Sequence, residues 1–589
     1  MKNLLKMLGN VFRAAPVHAV FGVLVMLVGA AEAVLTAAYL PNFLYDAIIG
    51  GLPLTEIAVT LLSIGAVMLT YSAGKCIYED IVLPGLEARL YERMQKPVFD
   101  KSMQLDMQQY DDTDFYNDYR WASTEADRRA KEIYVSCMGF LYNIAQMGGF
   151  LAVILTMDPM VAAIGAAYCI LSFVFNRRIA KINLAKAEEL NQPKRRQEYI
   201  ERVFAGPEYA KDLRMTDIGT PLLARLRENT QELLALHRKH GKNVLRVKNG
   251  LSACDAIFVD VAIYAYLAYA LLIRGSITVG AFVSLAASAE RILWRVRSIV
   301  NFITSCAEHA MFAKKYYSFL ESEPKMENRG EAPDAAGDIV LENVGFTYPG
   351  GEKPILSDFS LTIRRGERVA IVGRNGAGKS TLIKLLLRLY DPDTGKVSYG
   401  GHDVREFEQT AYRQQFGVLF QDFHIFAATL SQNVAMDVQY DAARVEEALA
   451  RAGVELDPEV FPQGLDTMIS KEFGEEGTLL SGGQMQKVAL ARSLYARSRV
   501  LIFDEPSSAL DPIAEYEFNR TLLERTAGHT LIIVAHRLST VRMMDRIILI
   551  DGERIAEEGS HDELMAKGGL YAEMFDAQRR QYETDGIVE

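Results

Sequence analysis

Cysteine is scarce. The 589 residues hold five, Cys76, Cys137, Cys169, Cys254 and Cys306. None has metal-ligand spacing to another, and all lie in or beside apolar runs. That argues against a zinc-site layout and a disulfide-built scaffold, and it reads as packed or lipid-facing thiols. An excess of positive charge is also missing. The net charge is −11, without the basic footprint of a nucleic-acid binder, so no nucleic-acid partner is expected. Lysine and arginine are absent from 42–55 and 157–159, and Arg274 is alone in 274–280.

What the chain has instead is apolar length. At 589 residues it exceeds one core, so two domains or more are expected. Hydrophobic residues make up 50%, concentrated before about residue 310. A hydrocarbon layer of about 30 Å takes about 20 apolar residues as helix. Stretches 17–40, 56–82, 134–156, 159–176, 252–273 and 279–303 meet or approach that length. The run at 17–40 is too long for a signal-peptide core and further runs follow, so it reads as a retained first span. Asp158-Pro159 makes a tight hairpin between the third and fourth. The sixth run carries Glu290, Arg291, Arg295 and Arg297.

The stretches 83–133 and 177–250 are rich in Lys and Arg, whereas the alternate loops lack them. The positive-inside rule then puts both termini and the two long loops on the cytoplasmic side of a cell membrane. Helical periodicity in those loops implies that the membrane helices run on into the cytoplasm. A polar linker, ESEPKMENRGEAPDAAG, covers 321–337. Beyond it, strand-like runs at 339–344, 368–372, 500–504 and 530–535 alternate with helical patterns, the grammar of a largely parallel α/β sheet. The expected domains are 1–320 (membrane), 338–580 (α/β) and a tail at 581–589.

Three motifs carry chemistry. Gly373, Arg374, Asn375, Gly376, Ala377, Gly378, Lys379 and Ser380 follow the strand RVAIV and open the helix TLIKLLLRL, with Thr381 next. A bare Gly-rich turn would not need all these positions; a phosphate-binding P-loop does. Its backbone N–H groups and the helix dipole face phosphate oxygens, Lys379 reaches the β- and γ-phosphates, and Ser380 ligates Mg²⁺. Next, VLIF runs into Asp504 and Glu505. Alone these could be a surface acid pair; beside a P-loop, Asp504 suits Mg²⁺ and Glu505 suits a general base or water orienter. Last, Ser481, Gly482, Gly483 and Gln484 precede a helix running to about Ala496. Ser481 is a natural N-cap, and the glycines leave N–H groups free for an anion.

LSGGQ with the P-loop and the paired acids resembles the ABC transporter family, over 338–580 for the ATPase and over the whole chain for an exporter half with its membrane domain first. That resemblance implies an all-α six-helix transmembrane domain followed by an α/β P-loop ABC-type nucleotide-binding domain, with ATP and Mg²⁺ as ligands. It assigns Tyr348 to adenine stacking, Gln421 to Mg²⁺ sensing, Asp511 to the D-loop and His536 to the γ-phosphate switch. It implies that Ser481 and Gly483 close over ATP held by a partner's Lys379, so the partner is a second half-transporter in a lipid bilayer. No motif here is degenerate, which suits a homodimer and also the catalytic half of a heterodimer. Segments 111–119 and 207–216 resemble coupling helices, and 472–477 the short segment that touches them.

The resemblance implies ATP-driven export by alternating access. The substrate expected is a peptide, with a drug or a lipid as alternatives. An importer of siderophore type and a non-transporting regulatory protein are rival readings. No protease domain precedes the first span, so leader-peptide cleavage is not expected. Counting about 1.5 Å per residue puts Glu32 and Arg291 near one depth, and Asp260 and Arg295 near another. These four are the candidate substrate cavity, as internal charge pairs or as substrate contacts.

Overall fold

The computed structural model describes residues 2–584, apart from 207–208, 329, 334–336, 475, 507–519, 521, 527 and 536–540. Two compact units emerge: Met1–Met103 with Asn117–Ser322, and Gln104–Tyr116 with Glu323–Glu589.

The first unit is helical. Its α1 (Lys2–Ala14) buries Leu4, Met7 and Val11, one stripe of an amphipathic helix. Four long helices follow: α2 (Pro16–Ile49), α3 (Leu54–Gln104), α5 (Thr113–Met157) and α6 (Pro159–Ala205). A short α4 (Met107–Tyr110) lies between α3 and α5. Then come α7 (Ala210–Met215), α8 (Gly219–Leu272) and α9 (Val279–Glu321). Pro159 opens α6, and the Asp158 carboxylate accepts from Met160 N–H, which makes the expected hairpin. With 45 residues, α5 is about 68 Å long, more than twice a hydrocarbon layer.

Three of these helices contain π-helical turns, Leu35–Tyr39, Tyr78–Val82 and Ala256–Ile263. Packing of α2 depends on a missing side chain. The Tyr134 hydroxyl donates to Ala19 O at 3.0 Å, and a Cβ on Gly22 would lie 2.2 Å from that hydroxyl.

Among the described residues, five helices are long and apolar enough to cross a membrane: α2, α3, α5, α6 and α8. The sixth expected span falls in α9, one 43-residue helix in which Glu290, Arg291, Arg295 and Arg297 follow the first three turns. Its Leu285, Ala286 and Ala289 are buried with Ile154 of α5, Val161 of α6, and Ile263 and Leu267 of α8. Thr278 caps it, and Asp46 at the end of α2 accepts from Thr278 Oγ1 (2.9 Å) and Gly280 N–H (3.1 Å).

The second unit is α/β. A four-stranded antiparallel sheet holds β1 (Ile339–Phe346), β2 (Leu356–Ile363), β4 (Thr394–Tyr399) and β5 (His402–Asp403), in the order β2-β1-β4-β5. A six-stranded sheet runs β10-β9-β3-β8-β7-β6. It is made of β3 (Arg368–Gly373), β6 (Phe416–Leu419), β7 (Val500–Asp504), β8 (Thr530–Val534), β9 (Arg546–Asp551) and β10 (Arg554–Gly559), parallel except at β9–β10. The sequence reading had placed 339–344 in the parallel grammar; it belongs to the antiparallel sheet. Every residue of β7 and β8 is buried, as a sheet covered on both faces requires.

Two expectations need correction. Part of the linker, 323–328, is bound into the second unit. The Asp106 carboxylate accepts from Lys325 and Met326 N–H (2.6 and 2.8 Å), Gln109 Nε2 donates to Glu323 O (3.1 Å), and Met326 is buried. The short helix expected at 111–119 is displaced. Asp106 and Gln109 form a capping box that starts α4, and Asp112 accepts from Asp114 and Phe115 N–H where α5 begins. At the second such segment α7 forms, with none of its residues buried.

Candidate functional site

In an open parallel sheet, ligands sit beyond the carboxyl ends of the strands. Here β3 ends at Gly373, and the P-loop leads into α10 (Lys379–Leu386). Gly376 and Gly378 have φ of +80° and +94°, which only glycine adopts freely. That backbone turns the loop around the α10 N-terminus. Lys379 is buried, and its Nζ donates to Gly373 O (2.9 Å) and Arg374 O (3.0 Å). Burial lowers its pKa, so an anion in the loop would stabilise its charge.

Strand β8 lies between β3 and β7 and brings β7's end to the same edge. Ser380 Oγ donates to Asp504 Oδ2 at 3.3 Å, and the buried Asp504 Oδ1 has no partner. Burial, then the neighbouring Glu505 carboxylate, pushes Asp504 up to about 6. An orphaned carboxylate oxygen beside a serine hydroxyl fits a divalent cation, which would remove that penalty. Glu505 has φ +52°, uncommon for a non-glycine residue and costly unless the surroundings enforce it. Its N–H donates to Val534 O (3.0 Å), and Gln486 Nε2 of the helix Gly482–Tyr495 donates to Pro506 O (2.6 Å). Pairing of Leu419 with Phe503 sets the loop after β6 next to that turn, so Gln421 Nε2 reaches Glu505 Oε2 at 3.1 Å.

These residues bound a cleft of about 650 Å³ lined by Tyr348, Ile355, Asn375, Gly376, Gly378, Lys379, Ser380, Thr381, Gln421 and Glu505. Tyr348 is half-buried, and its hydroxyl lies 3.1 Å from Thr381 Oγ1. Ile355 was missed in the sequence; it has no motif and arrives through the turn before β2.

Residues 356–508 match the family model of the ABC transporter. That match assigns this segment to the family. The chain's relatives include the ATP-dependent lipid A-core flippases of Vibrio cholerae and Salmonella typhimurium. The first is 36% identical over 342 residues, covering 56% of this chain and 58% of the flippase. The second is 36% identical over 310 residues, covering 52% of each. The chain thus spans little more than half the length of these relatives. In fold it resembles a bacterial Atm1-family ABC exporter solved with ATP bound, with TM-score 0.74 and 24% identity over 95% of this chain and 98% of that one.

Within the second unit the signature residues lie outside the cleft lining. Ser481 caps its helix by a capping box with Gln484, and Ser481 and Gly482 are exposed. Among the described residues, those lining the cleft do not include Ser481, Gly482, Gly483 or Gln484. Asp511 and His536 lie outside the described residues.

The proposed cavity charges all fall in the first unit, but not in the expected pairs. Glu32 is half-buried, and Asp260 and Arg291 are exposed. Among the described residues, neither Glu32 with Arg291 nor Asp260 with Arg295 forms an ion pair. Arg291 lies over the Phe150 ring (5.9 Å), and Arg295 donates to Asn143 Oδ1 (3.2 Å) and lies over Tyr142 (5.4 Å). Arg297, two residues on, pairs instead with Asp255, which also accepts from the Tyr168 hydroxyl. The π-helical turn explains the miscount. Asp260 sits inside Ala256–Ile263, where i→i+5 bonding rotates side chains off a 3.6-residue register.

Proposed function

We propose that this chain is one half of an ATP-driven exporter that moves a lipid with an anionic head group across the cell membrane by alternating access. The observation that carries the reading is one chain joining a P-loop cleft with paired acids to helices of membrane-spanning length. In this reading Lys379 and the loop N–H groups hold the ATP phosphates, and Tyr348 stacks on adenine. Mg²⁺, held by Ser380 and Asp504 with Gln421 nearby, would supply charge neutralisation at the phosphates. Glu505 accepts a proton from the attacking water or orients it.

The working unit is a dimer, and a homodimer is the simplest form. Support comes from the exposed Ser481, which is absent from the cleft lining, and from α7, none of whose residues is fully buried. The membrane domain is read as six spans, with α9 the sixth. Burial of Leu285 and Ala289 against α5, α6 and α8 supports that count, as does the exposed apolar surface of Leu54, Leu62 and Leu69 on α3 and Ile170 on α6. The basic stretches support a cytoplasmic position for both termini and the ATPase unit.

A lipid replaces the peptide expected earlier because the relatives' names specify lipid A-core flipping. Arg291, exposed over an aromatic ring, and Arg295 add cationic groups among apolar helices, chemistry that suits an anionic amphiphile. The test is ATPase stimulation of the purified chain in nanodiscs. Lipid A is expected to raise turnover several-fold, and Arg291→Ala and Arg295→Ala to lose that increment relative to the unstimulated rate. Stimulation by a cationic peptide alone, or full stimulation in both variants, would contradict the substrate reading.

A further inference from the structure

A line of side chains leads away from the cleft within the second unit. Tyr348, which lines the cleft, packs edge-on against Tyr390 with ring centroids 5.4 Å apart, and Phe346 packs against both at 5.0 and 5.5 Å. The Lys384 ammonium lies over both tyrosine rings, at 5.1 and 5.7 Å, and donates to the Tyr348 hydroxyl at 3.3 Å. Lys384 is on α10, the P-loop helix. Tyr390 is almost fully buried, and its hydroxyl donates to Asp111 Oδ2 at 2.8 Å. Burial and the Asp111 carboxylate both raise the Tyr390 pKa, so the phenol remains a donor. Asp111 is exposed and belongs to Gln104–Tyr116, the segment that joins α3 to α5 in the chain. Two of its neighbours, Asp106 and Gln109, hold 323–328, and the fully buried Arg388 donates to Glu327 O at 2.6 Å.

We infer that Tyr390 and Lys384 are positioning residues that couple nucleotide on Tyr348 to the docking of segment 104–116 through the Tyr390–Asp111 hydrogen bond. The inference rests on the ATP reading above. A base stacked on Tyr348 fixes that ring. The fixed ring holds Lys384 and the edge of Tyr390, and Tyr390 then keeps its hydroxyl on Asp111. The two states are Asp111 engaged and Asp111 released. Coupling is reciprocal, so losing the bond must weaken nucleotide binding by the factor through which nucleotide strengthens docking. Motif reading could not reach this line, because Asp111 and Tyr390 are 279 residues apart.

The experiment titrates TNP-ATP into the full chain in nanodiscs, as wild type, Tyr390→Phe, Asp111→Ala and the double variant. Each single variant is expected to bind about five- to tenfold more weakly. The double variant is expected to match the singles within about twofold, since both remove one bond. A purely structural bond would lower the melting temperature and leave nucleotide affinity unchanged. Asp111→Ala acts from the exposed side, so it reports even where Tyr390→Phe perturbs the buried ring cluster. Binding by either folded single variant within twofold of wild type, or single losses that multiply in the double, overturns the inference alone. No binding by the wild type overturns the ATP reading and the inference with it.

Discussion

Glu505→Gln is expected to cut ATP turnover by about 10²–10⁴-fold while leaving ATP affinity near wild type. Glutamine keeps the size of the side chain and can still pair with Gln421, 3.1 Å away. It cannot accept a proton from water. The P-loop groups proposed to bind phosphate lie on β3 and α10, not on the strained turn after β7. Binding and chemistry should therefore separate: equilibrium TNP-ATP titration unchanged, steady-state phosphate release nearly lost. With ATP bound and not consumed, the two ATPase units should stay together, and size-exclusion in ATP should show the closed dimer persisting. Near-normal hydrolysis in this variant would remove Glu505 from the catalytic role.

Mixed dimers give the second large effect. Homodimers of Lys379→Ala lack the phosphate contact, and homodimers of Ser481→Arg block the signature surface, so each should hydrolyse ATP at background rate. In a mixed dimer of the two, cross-chain sites put both lesions into one composite site. The other site then pairs an intact Lys379 with an intact Ser481. Hydrolysis well above either homodimer is therefore expected from doubly tagged, purified mixed dimers. If each chain formed its site alone, both sites would be damaged and the mixture would stay at background. The exposed position of Ser481, away from the cleft's lining, is the geometric reason to expect recovery.

How much could be read from the chain followed from how local each feature is. The P-loop was legible because eight contiguous residues and both flanking elements carry it. Asp504 and Glu505 were legible as acids at a strand end, but the Gln421–Glu505 contact was not. It depends on β6 pairing with β7 across 84 residues of chain. The loose linker was misread for the same reason. Composition marks 323–328 as part of a polar linker, while the Asp106 carboxylate that binds its N–H groups comes from 219 residues earlier. Charge pairing in the membrane helices failed for a local reason. The depth count assumes regular α-helix, and π-helical turns follow Glu32 at Leu35–Tyr39 and enclose Asp260 at Ala256–Ile263. The count of spans was hardest at α9, where hydropathy is lowered by Glu290, Arg291, Arg295 and Arg297, although its apolar face is buried.

The central claim is directional, ATP-driven movement, and leaflet accessibility in proteoliposomes measures it most directly. The purified chain is reconstituted with a trace of fluorescent anionic phospholipid, and Mg²⁺-ATP is added outside only, so that only outward-facing ATPase units work. Dithionite then quenches label in the outer leaflet. The expected result is that label moves from the ATPase-side leaflet to the inner one, protected from quenching, in wild type and not in Glu505→Gln. Movement in the opposite direction, or active hydrolysis with no ATP-dependent movement of any lipid tested, would contradict it.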